Sequence, residues 1–200
     1  MKSFLVISTI IFDLAGVIFN FQPSDLTLAL KQDVPSNPFS VFDQGLATVK
    51  RLKEKNFKVI ACTNFGKGPM DLLNKYHKDV MDLFEDVITP SESKHSKPDA
   101  RMYSYILKKH NVVAEECLFI DDCQSNAIGA NDVGLNAIHL KNWEQAIKEL
   151  FTSQGVEPEI QQMGDFLRWV MKDIANEEMD VLLENNLVLK DVSKHAANKA

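Results

Sequence analysis

The sequence predicts an α/β fold built on a parallel β-sheet, and two observations support this prediction. Apolar runs rich in β-branched residues recur at 4–12, 57–62, 117–120 and 135–139, and such runs are typical of strands buried on both faces. Segments with helical spacing of apolar residues separate these runs. An alternation of strands and helices implies a parallel sheet with right-handed crossovers.

The elements between the strands are predicted from the same spacing and from local signals. A short flap follows the first strand at 17–21, and a brief helix over 25–30 begins behind Ser24 as its N-cap. Pro69 favours the start of a helix over 70–76. The remaining predicted elements are helices over 41–55, 99–109, 125–132 and 143–151 and a short strand at 87–88.

Two regions are predicted, a core over 1–151 and a helical C-terminal extension with a polar tail over 152–200. In the extension, one helical face carries apolar residues between Met163 and Ile174. Nine acidic residues against five Lys and Arg exclude a polybasic membrane anchor there. The extension either packs against the core or binds a partner.

Composition limits the possible functions. The net charge of −6 argues against a nucleic-acid binder, which needs a basic face. It also gives no general attraction to anionic lipid, although a local membrane contact stays open. The three cysteines show no zinc-type pairing, and none begins a Cys-x5-Arg phosphate cradle, which disfavours a thiol-based phosphatase.

No stretch is long and apolar enough to span a membrane. Residues 4–12 after Lys2 imitate a signal peptide, but cleavage there would remove the first strand together with Asp13. We therefore predict a strand in this segment, no signal peptide and a cytoplasmic protein.

Polar residues end or follow the predicted strands in a fixed order. The first strand ends at Asp13-x-Ala15-Gly16-Val17, the second at Thr63-Asn64, and the third at Asp121-Asp122, with Lys97-Pro98-Asp99 opening the helix between them. Ligands of open α/β sheets bind at the carboxyl ends of the strands. The sequence therefore predicts that these side chains meet at one site.

This ordered set resembles the haloacid dehalogenase (HAD) superfamily, whose members are mostly Mg²⁺-dependent phosphatases. The resemblance covers 4–151 and implies a Rossmann-like core with helices on both faces of the sheet. It implies that Asp13 is the nucleophile that forms an aspartyl-phosphate, and that Lys97 pairs with this aspartate and with the phosphoryl group. Thr63, helped by Asn64, is expected to hydrogen-bond the phosphoryl oxygens. The implied Mg²⁺ ligands are Asp13, the backbone carbonyl of Ala15, Asp122 directly, and Asp121 directly or through water.

Ala15 departs from the family pattern. HAD phosphatases usually carry an aspartate at this position, which serves as general acid for the leaving group and then as base for water. Such assistance is worth roughly 10²–10⁴-fold. A phenol, with a pKa near 10, leaves as its anion far more readily than an alkoxide. An aryl phosphate such as phosphotyrosine therefore suffers least from the missing acid.

The spacing gives a second indication of the substrate. Only 50 residues separate Asp13 from Thr63, and the helix predicted over 41–55 occupies much of that length, so the cap is minimal. An open site of this kind admits a phosphate on a protein surface, which favours a phosphorylated protein or peptide as substrate. The chain also resembles effector tyrosine phosphatases that intracellular bacterial pathogens secrete, which would place it in a host cell.

Two alternatives stay open. Ala15 is also compatible with a catalytically weak or inactive HAD-fold protein that binds a partner, through 152–200. A phosphonatase-like or dehalogenase-like hydrolase would share Asp-x-Ala-Gly, but the first needs a lysine from a cap, and the second dispenses with Mg²⁺. The sequence leaves the oligomeric state open.

Overall fold

The chain folds around a central sheet, and the computed structural model describes residues 7–31 and 36–142. The strands are β1 (Thr9–Phe12), β2 (Phe19–Phe21), β3 (Phe39–Val41), β4 (Lys58–Cys62), β5 (Asp86–Ile88), β6 (Cys117–Asp121) and β7 (Asn136–His139). The helices are α1 (Pro23–Lys31), α2 (Asp43–Glu54), α3 (Lys67–Tyr76), α4 (Lys78–Met81), α5 (Pro90–Ser93), α6 (Ala100–His110) and α7 (Gln124–Asp132), with a 3-10 turn at Ala114–Glu116.

Five strands form one parallel sheet in the order β5-β4-β1-β6-β7. This arrangement confirms the predicted α/β fold. β1 lies in the centre, where Phe12 pairs with Ala61 of β4 on one side and with Ile120 of β6 on the other. The carboxyl ends of these three strands therefore lie next to one another.

Helices cover both faces of the sheet, as its mostly apolar and buried central strands require. Ile10 and Phe12 pack on one face with residues of α2 and α3, whereas Ile11 packs on the other face with Tyr103 and Ile106 of α6. Successive side chains of a strand point to opposite faces, which explains this division. Burial of one large apolar side chain contributes roughly 1.5–3 kcal/mol.

A small insertion lies between β1 and α2 and contains the short flap expected at 17–21. From here on, the flap means residues 17–42. β2 and β3 pair antiparallel as a separate two-stranded sheet, with Phe19 opposite Val41, and α1 lies between them in the chain. Its nine-residue helix agrees with the minimal cap expected from the sequence.

Two predicted boundaries in the flap are wrong. The helix expected from residue 41 begins at Asp43, because Val41 pairs with Phe19 in the flap sheet. The helix expected behind Ser24 begins at Pro23, so Ser24 lies in its first turn instead of capping it.

The predicted helix over 143–151 and the predicted extension over 152–200 lie outside the described residues, so the division of the chain into two regions stays a prediction. Within the described part of the chain, no helix has the length and apolar character needed to cross a membrane.

Candidate active site

Asp13 follows the central strand directly and is buried, with 6% of its surface exposed. Its backbone N–H donates to the carbonyl of Ile120 at 2.9 Å, which fixes it beside β6. Its side-chain Oδ1 accepts from the Leu14 N–H at 2.7 Å and lies 2.9 Å from Lys97 Nζ. Within the described residues, no protein group donates a hydrogen bond to the other oxygen, Oδ2. Asp13 thus has one oxygen held in place and one available for reaction.

Lys97 is the cation of this site, and its side chain is almost fully buried. Its Nζ lies 2.9 Å from Asp13 Oδ1 and 2.7 Å from Asp121 Oδ2. Burial disfavours the charged ammonium, but the charges of Asp13 and its other acidic neighbours outweigh burial and raise the pKa of Lys97. Lys97 therefore stays protonated.

Asn64 holds the backbone of Lys97. Its side-chain Oδ1 accepts from the Lys97 N–H at 2.8 Å, and its Nδ2 donates to the Lys97 carbonyl at 2.9 Å. Two bonds in this arrangement tie the end of β4 to the loop that carries the lysine. The expected contact between Asn64 and a phosphoryl group stays a prediction, and the structure shows Asn64 as a residue that positions Lys97.

Asp121 and Asp122 are neighbours with different surroundings. Asp121 is fully buried, and both of its oxygens accept hydrogen bonds, Oδ1 from the Cys123 N–H and Oδ2 from Lys97 Nζ. Asp122 is exposed, and its carboxylate faces Gly16, where a Cβ would lie 2.0 Å from Asp122 Oδ2. Asp122 is thus the freer carboxylate of the two, and its direct role as a ligand stays a prediction.

Asn126 belongs to the site, and sequence analysis missed it. Its Nδ2 donates to both oxygens of Asp121, at 3.0 Å and 3.1 Å, and its own carbonyl accepts from the Tyr103 hydroxyl at 2.7 Å. Asn126 is buried on the same face of α7 as Ala127 and Ala130. The sequence contained one signal for this role, since Asn126 is the polar residue on a helix face that otherwise carries small, apolar residues. A buried amide needs hydrogen-bond partners, so its position there indicates a polar contact.

The three carboxylates fit a hard divalent cation. One ligand oxygen from each of Asp13, Asp121 and Asp122 lies within 4.8 Å of the others. Three carboxylates against one ammonium leave an excess negative charge, and oxygen ligands of this kind are those that Mg²⁺ prefers. Gly16 has a φ of +70° and leaves the room that Asp122 needs. The participation of the Ala15 carbonyl stays a prediction.

Burial and the excess negative charge raise the pKa values of two of these carboxylates. Burial raises the pKa of Asp13 to about 6, with the Lys97 ammonium opposing and the Asp121 charge adding to this rise. Burial also raises the pKa of Asp122, and the adjacent Asp121 charge adds to the effect. Both carboxylates are therefore easier to ionise when a cation is bound.

Thr63 lies beside this cluster, one residue beyond the end of β4. It is buried, and its N–H donates to the Ile88 carbonyl at 3.0 Å. Its Oγ1 accepts from the Phe65 N–H at 3.1 Å, which leaves the hydroxyl proton for another acceptor. Phe12 of β1 pairs with Ala61 of β4. Asp13 and Thr63, which follow these two residues, therefore lie at the carboxyl ends of neighbouring strands. Its expected contact with a phosphoryl oxygen stays a prediction.

The structure thus brings Asp13, Lys97, Asp121 and Asp122 together and sets Thr63 next to them. A family model supplies independent information about the chain: the model for haloacid dehalogenase-like hydrolases matches residues 34–134, half of the sequence. This chain belongs to the haloacid dehalogenase-like hydrolases. The matched range contains Thr63, Lys97 and the two adjacent aspartates, while Asp13 lies before it and is placed by the geometry above.

Solved structures share the HAD fold with this chain. A HAD family enzyme from Bacteroides thetaiotaomicron superposes with a TM-score of 0.60 at 16% identity, covering 73% of this chain and 98% of that one. The same enzyme, as the wild-type protein in complex with magnesium and inorganic phosphate, gives 0.58 at 16% identity over 70% and 98%. A HAD phosphatase from Thermococcus onnurineus gives 0.55 at 17% identity over 65% and 84%. At these identities the likeness shows the fold.

One curated relative is similar over part of its length. Sesquiterpene phosphatase astK of Aspergillus oryzae is 30% identical over 92 residues, which are 46% of this chain and 46% of that protein. The match therefore spans about half of each chain.

Proposed function

We propose that this HAD hydrolase is a Mg²⁺-dependent phosphomonoesterase that acts through an aspartyl-phosphate on Asp13. The observation that carries the proposal is the pair of Asp13 oxygens. One is fixed by the Leu14 N–H and Lys97, and the other receives no hydrogen bond from residues 7–31 and 36–142. A nucleophile needs this combination of fixed orientation and a free lone pair.

In the first step, Asp13 Oδ2 attacks phosphorus and forms an acyl phosphate bond. The bond between phosphorus and the ester oxygen breaks, and its electron pair leaves on that oxygen. Lys97 stabilises the charge that develops on the phosphoryl oxygens, and the Thr63 hydroxyl donates to one of them. Asn64 keeps Lys97 in position through its two backbone hydrogen bonds.

In the second step, water attacks phosphorus and the bond between phosphorus and Asp13 Oδ2 breaks, which restores the Asp13 carboxylate. The proton that the water loses leaves on the inorganic phosphate. Asp13, Asp122 and Asp121 would hold the Mg²⁺, with Asp121 oriented by Asn126 and Lys97. The cation would offset the repulsion between the carboxylate nucleophile and the phosphate dianion.

Ala15 directs the proposal towards an aryl phosphate, and phosphotyrosine in a protein or peptide is the substrate we favour. A methyl group at this position cannot protonate the leaving oxygen, so the leaving group must depart as a stable anion. The small flap supports access for a phosphate presented on a protein surface. The partial similarity to a sesquiterpene phosphatase supports the phosphatase activity and gives no support to a protein substrate.

A second candidate function rests on the same residue. Without an acid or base at Ala15, a HAD fold that has lost catalysis and binds a partner is the main alternative. Against it stands the complete buried set of Asp13, Lys97 and Asp121, which costs free energy to desolvate.

Hydrolysis of matched phosphotyrosine and phosphoserine peptides tests the proposal, with wild type and Asp13→Asn each assayed in Mg²⁺ and in EDTA. We expect Mg²⁺-dependent release of phosphate from the tyrosine peptide, lost in Asp13→Asn. Equal rates on both peptides would contradict the leaving-group part alone. No turnover of either peptide or of a simple aryl phosphate would favour the binding protein.

A further inference from the structure

The flap presents an apolar surface to solvent beside the candidate active site. Among the described residues, four large apolar side chains are prominently exposed, and two of them, Leu28 and Leu30, lie on α1. Leu30 faces α3, because its Cδ2 lies 2.7 Å from the position that a Cβ on Gly68 would occupy. Gly68 lies in the first turn of α3, five residues beyond Thr63. An exposed leucine is thus held next to the loop that carries the proposed phosphoryl-binding hydroxyl.

Phe65 is the aromatic residue that follows the proposed phosphoryl-binding hydroxyl in the chain. Its N–H donates to Thr63 Oγ1 at 3.1 Å, so its ring is only two residues away from that hydroxyl. The ring packs edge-on against Phe21 and Phe39, with centroid distances of 5.6 Å and 5.8 Å. Phe39 is buried, whereas Phe21 and Phe65 are partly exposed. The three-ring contact therefore fixes an aromatic surface whose Phe65 member is bonded through its backbone to Thr63 Oγ1.

The flap that carries Phe21 and Leu30 is joined to the position of the missing acid. Ala15, where HAD phosphatases usually carry that acid, bridges to Phe19, and the Gly16 N–H donates to the Phe19 carbonyl at 2.9 Å. Lys97 and Asp121 are joined to Asp13 separately, through the contacts of Lys97 Nζ with Asp13 Oδ1 at 2.9 Å and with Asp121 Oδ2 at 2.7 Å. A phosphorylated substrate with its phosphate on Asp13 would extend its leaving group from Ala15 along the flap.

We propose that Phe21, Phe65 and Leu30 bind an apolar leaving group and make the enzyme selective for phosphomonoesters that carry one. This inference rests on the proposed phosphomonoesterase function and adds the substrate class and the residues that select it. An aromatic ring at the ester oxygen would contact Phe65, and burial of its surface offsets part of the catalysis lost with the missing acid.

Three probes separate this inference from the function on which it rests. Acetyl phosphate has a good leaving group and almost no apolar surface, 1-naphthyl phosphate adds a large aryl group, and farnesyl phosphate adds an isoprenoid chain. We expect Phe65→Ala to lower kcat/KM for 1-naphthyl phosphate about five- to tenfold, mainly through KM. Turnover of acetyl phosphate should change less than about twofold, because alanine keeps the backbone bond to Thr63.

Leu30→Asn and Leu28→Asn form a matched pair on the same helix. Residues two apart point about 200° away from each other around a helix, and the contact with Gly68 belongs to Leu30. We expect Leu30→Asn to raise KM for 1-naphthyl phosphate about two- to threefold. Leu28→Asn should leave the constants for all three probes unchanged.

The outcomes are distinguishable. A KM rise in Phe65→Ala shared by farnesyl phosphate identifies apolar leaving groups in general, and a rise confined to 1-naphthyl phosphate identifies an aryl substrate. Unchanged KM for both apolar probes, or an equal loss with acetyl phosphate, overturns the inference while the phosphatase function stands. Absence of any wild-type turnover of the three probes in Mg²⁺ overturns the proposed function and this inference together.

Discussion

Two lysines in the described part of the chain each bridge two carboxylates, but their surroundings differ. Lys97 Nζ lies between Asp13 and Asp121, and none of these three side chains is more than 8% exposed. Lys109 Nζ contacts Asp86 and Glu92 in the same way, with side chains 24% to 36% exposed. The Lys97 cluster lies at the carboxyl end of the sheet, whereas the Lys109 cluster joins α6 to β5 and α5.

The difference in burial shows that the two clusters serve different purposes. Desolvation of a buried ion pair costs about as much as the attraction returns, so stability alone does not account for the Lys97 cluster. A partly exposed cluster such as that of Lys109 is cheap to form and contributes little. We interpret the buried cluster as the reactive centre and the exposed one as a structural tie.

The largest expected effect on stability and on activity comes from removing the ammonium of Lys97. Lys97→Met leaves the buried carboxylates of Asp13 and Asp121 without the positive charge that compensates them, so in EDTA the free energy of unfolding should fall by about 3–5 kcal/mol. With Mg²⁺ and an aryl phosphate, kcat should fall by about 10²–10³ because a charge-stabilising donor is lost. Urea denaturation and steady-state assays measure both quantities.

Lys109→Met is the matched control for this substitution. It should change the free energy of unfolding by less than about 1 kcal/mol and leave kcat unchanged. Equal losses of stability in the two variants, with kcat retained in both, would contradict the division into a reactive and a structural cluster.

Ala15→Asp adds to the buried cluster an acid at the position where alanine stands. We expect kcat/KM for a phosphoserine peptide to rise by about 10², because the leaving alkoxide now receives a proton. The phosphotyrosine peptide should gain much less, since its phenolate leaves unaided. Ala15→Asn, of the same size but without an acidic proton, is the control. Similar gains in the two variants, or on the two peptides, would exclude a proton-transfer explanation.

Gly16→Ala tests whether the room beside Asp122 serves the cation. A Cβ at this position would lie 2.0 Å from Asp122 Oδ2, and the φ of +70° disfavours any side chain. The Mg²⁺ concentration for half-maximal activity should rise tenfold or more, because displaced ligands lose about 10–100-fold in affinity.

Gly66→Ala provides the control, since a Cβ there meets nothing within 4 Å. Its Mg²⁺ dependence should match that of wild type. If Gly16→Ala kept wild-type Mg²⁺ dependence as well, Asp122 would not be a ligand.

The two clusters should also respond to pH in opposite directions in Mg²⁺-free protein. Burial raises the pKa of Asp13 to about 6. The folded protein therefore binds the Asp13 proton more tightly than the unfolded chain does. This contribution to the free energy of unfolding is complete below the unfolded pKa of about 3.9 and is lost as the pH rises through about 6. Burial also acts to raise the pKa of Asp86, but hydrogen bonds from Lys109 and the Val87 N–H outweigh it and lower the pKa. The Asp86 contribution is present above about 3.9 and is lost at more acidic pH.

Urea denaturation from pH 3 to 8 in EDTA measures these contributions in wild type, Asp13→Asn and Asp86→Asn. Asp13→Asn should remove the loss of stability between pH 4 and 6. Asp86→Asn should remove part of the loss at acidic pH, worth at most about 1 kcal/mol. A change of the same sign in both variants would be at odds with the opposite pKa shifts.

Sequence patterns predicted the central sheet because its signals are local. The runs that became β1, β4 and β6 are mostly apolar, and each ends at or just before a polar residue of the site. A buried strand tolerates such a residue only at its end. The positions of Asp13, Thr63 and Asp121 at one edge of the sheet follow from that rule.

The flap and the supporting contacts could not be predicted in the same way. β2 and β3 have three residues each, and Val41 joins a strand only because Phe19 lies opposite it. The bonds of Asn64 to Lys97 and of Asn126 to Asp121 join residues from different elements. Such partners are set by tertiary packing, which one-dimensional periodicity does not contain.

The most direct test of the reactive role of Asp13 is an acid quench during turnover of an aryl phosphate with Mg²⁺, followed by mass spectrometry of the peptide that contains Asp13. Without a base at Ala15, hydrolysis of the aspartyl-phosphate is slow, so the phosphorylated peptide should accumulate, together with a burst of the phenol. Ala15→Asp should reduce both. Steady turnover with neither a burst nor a phosphoryl group on Asp13 would contradict covalent catalysis by this residue.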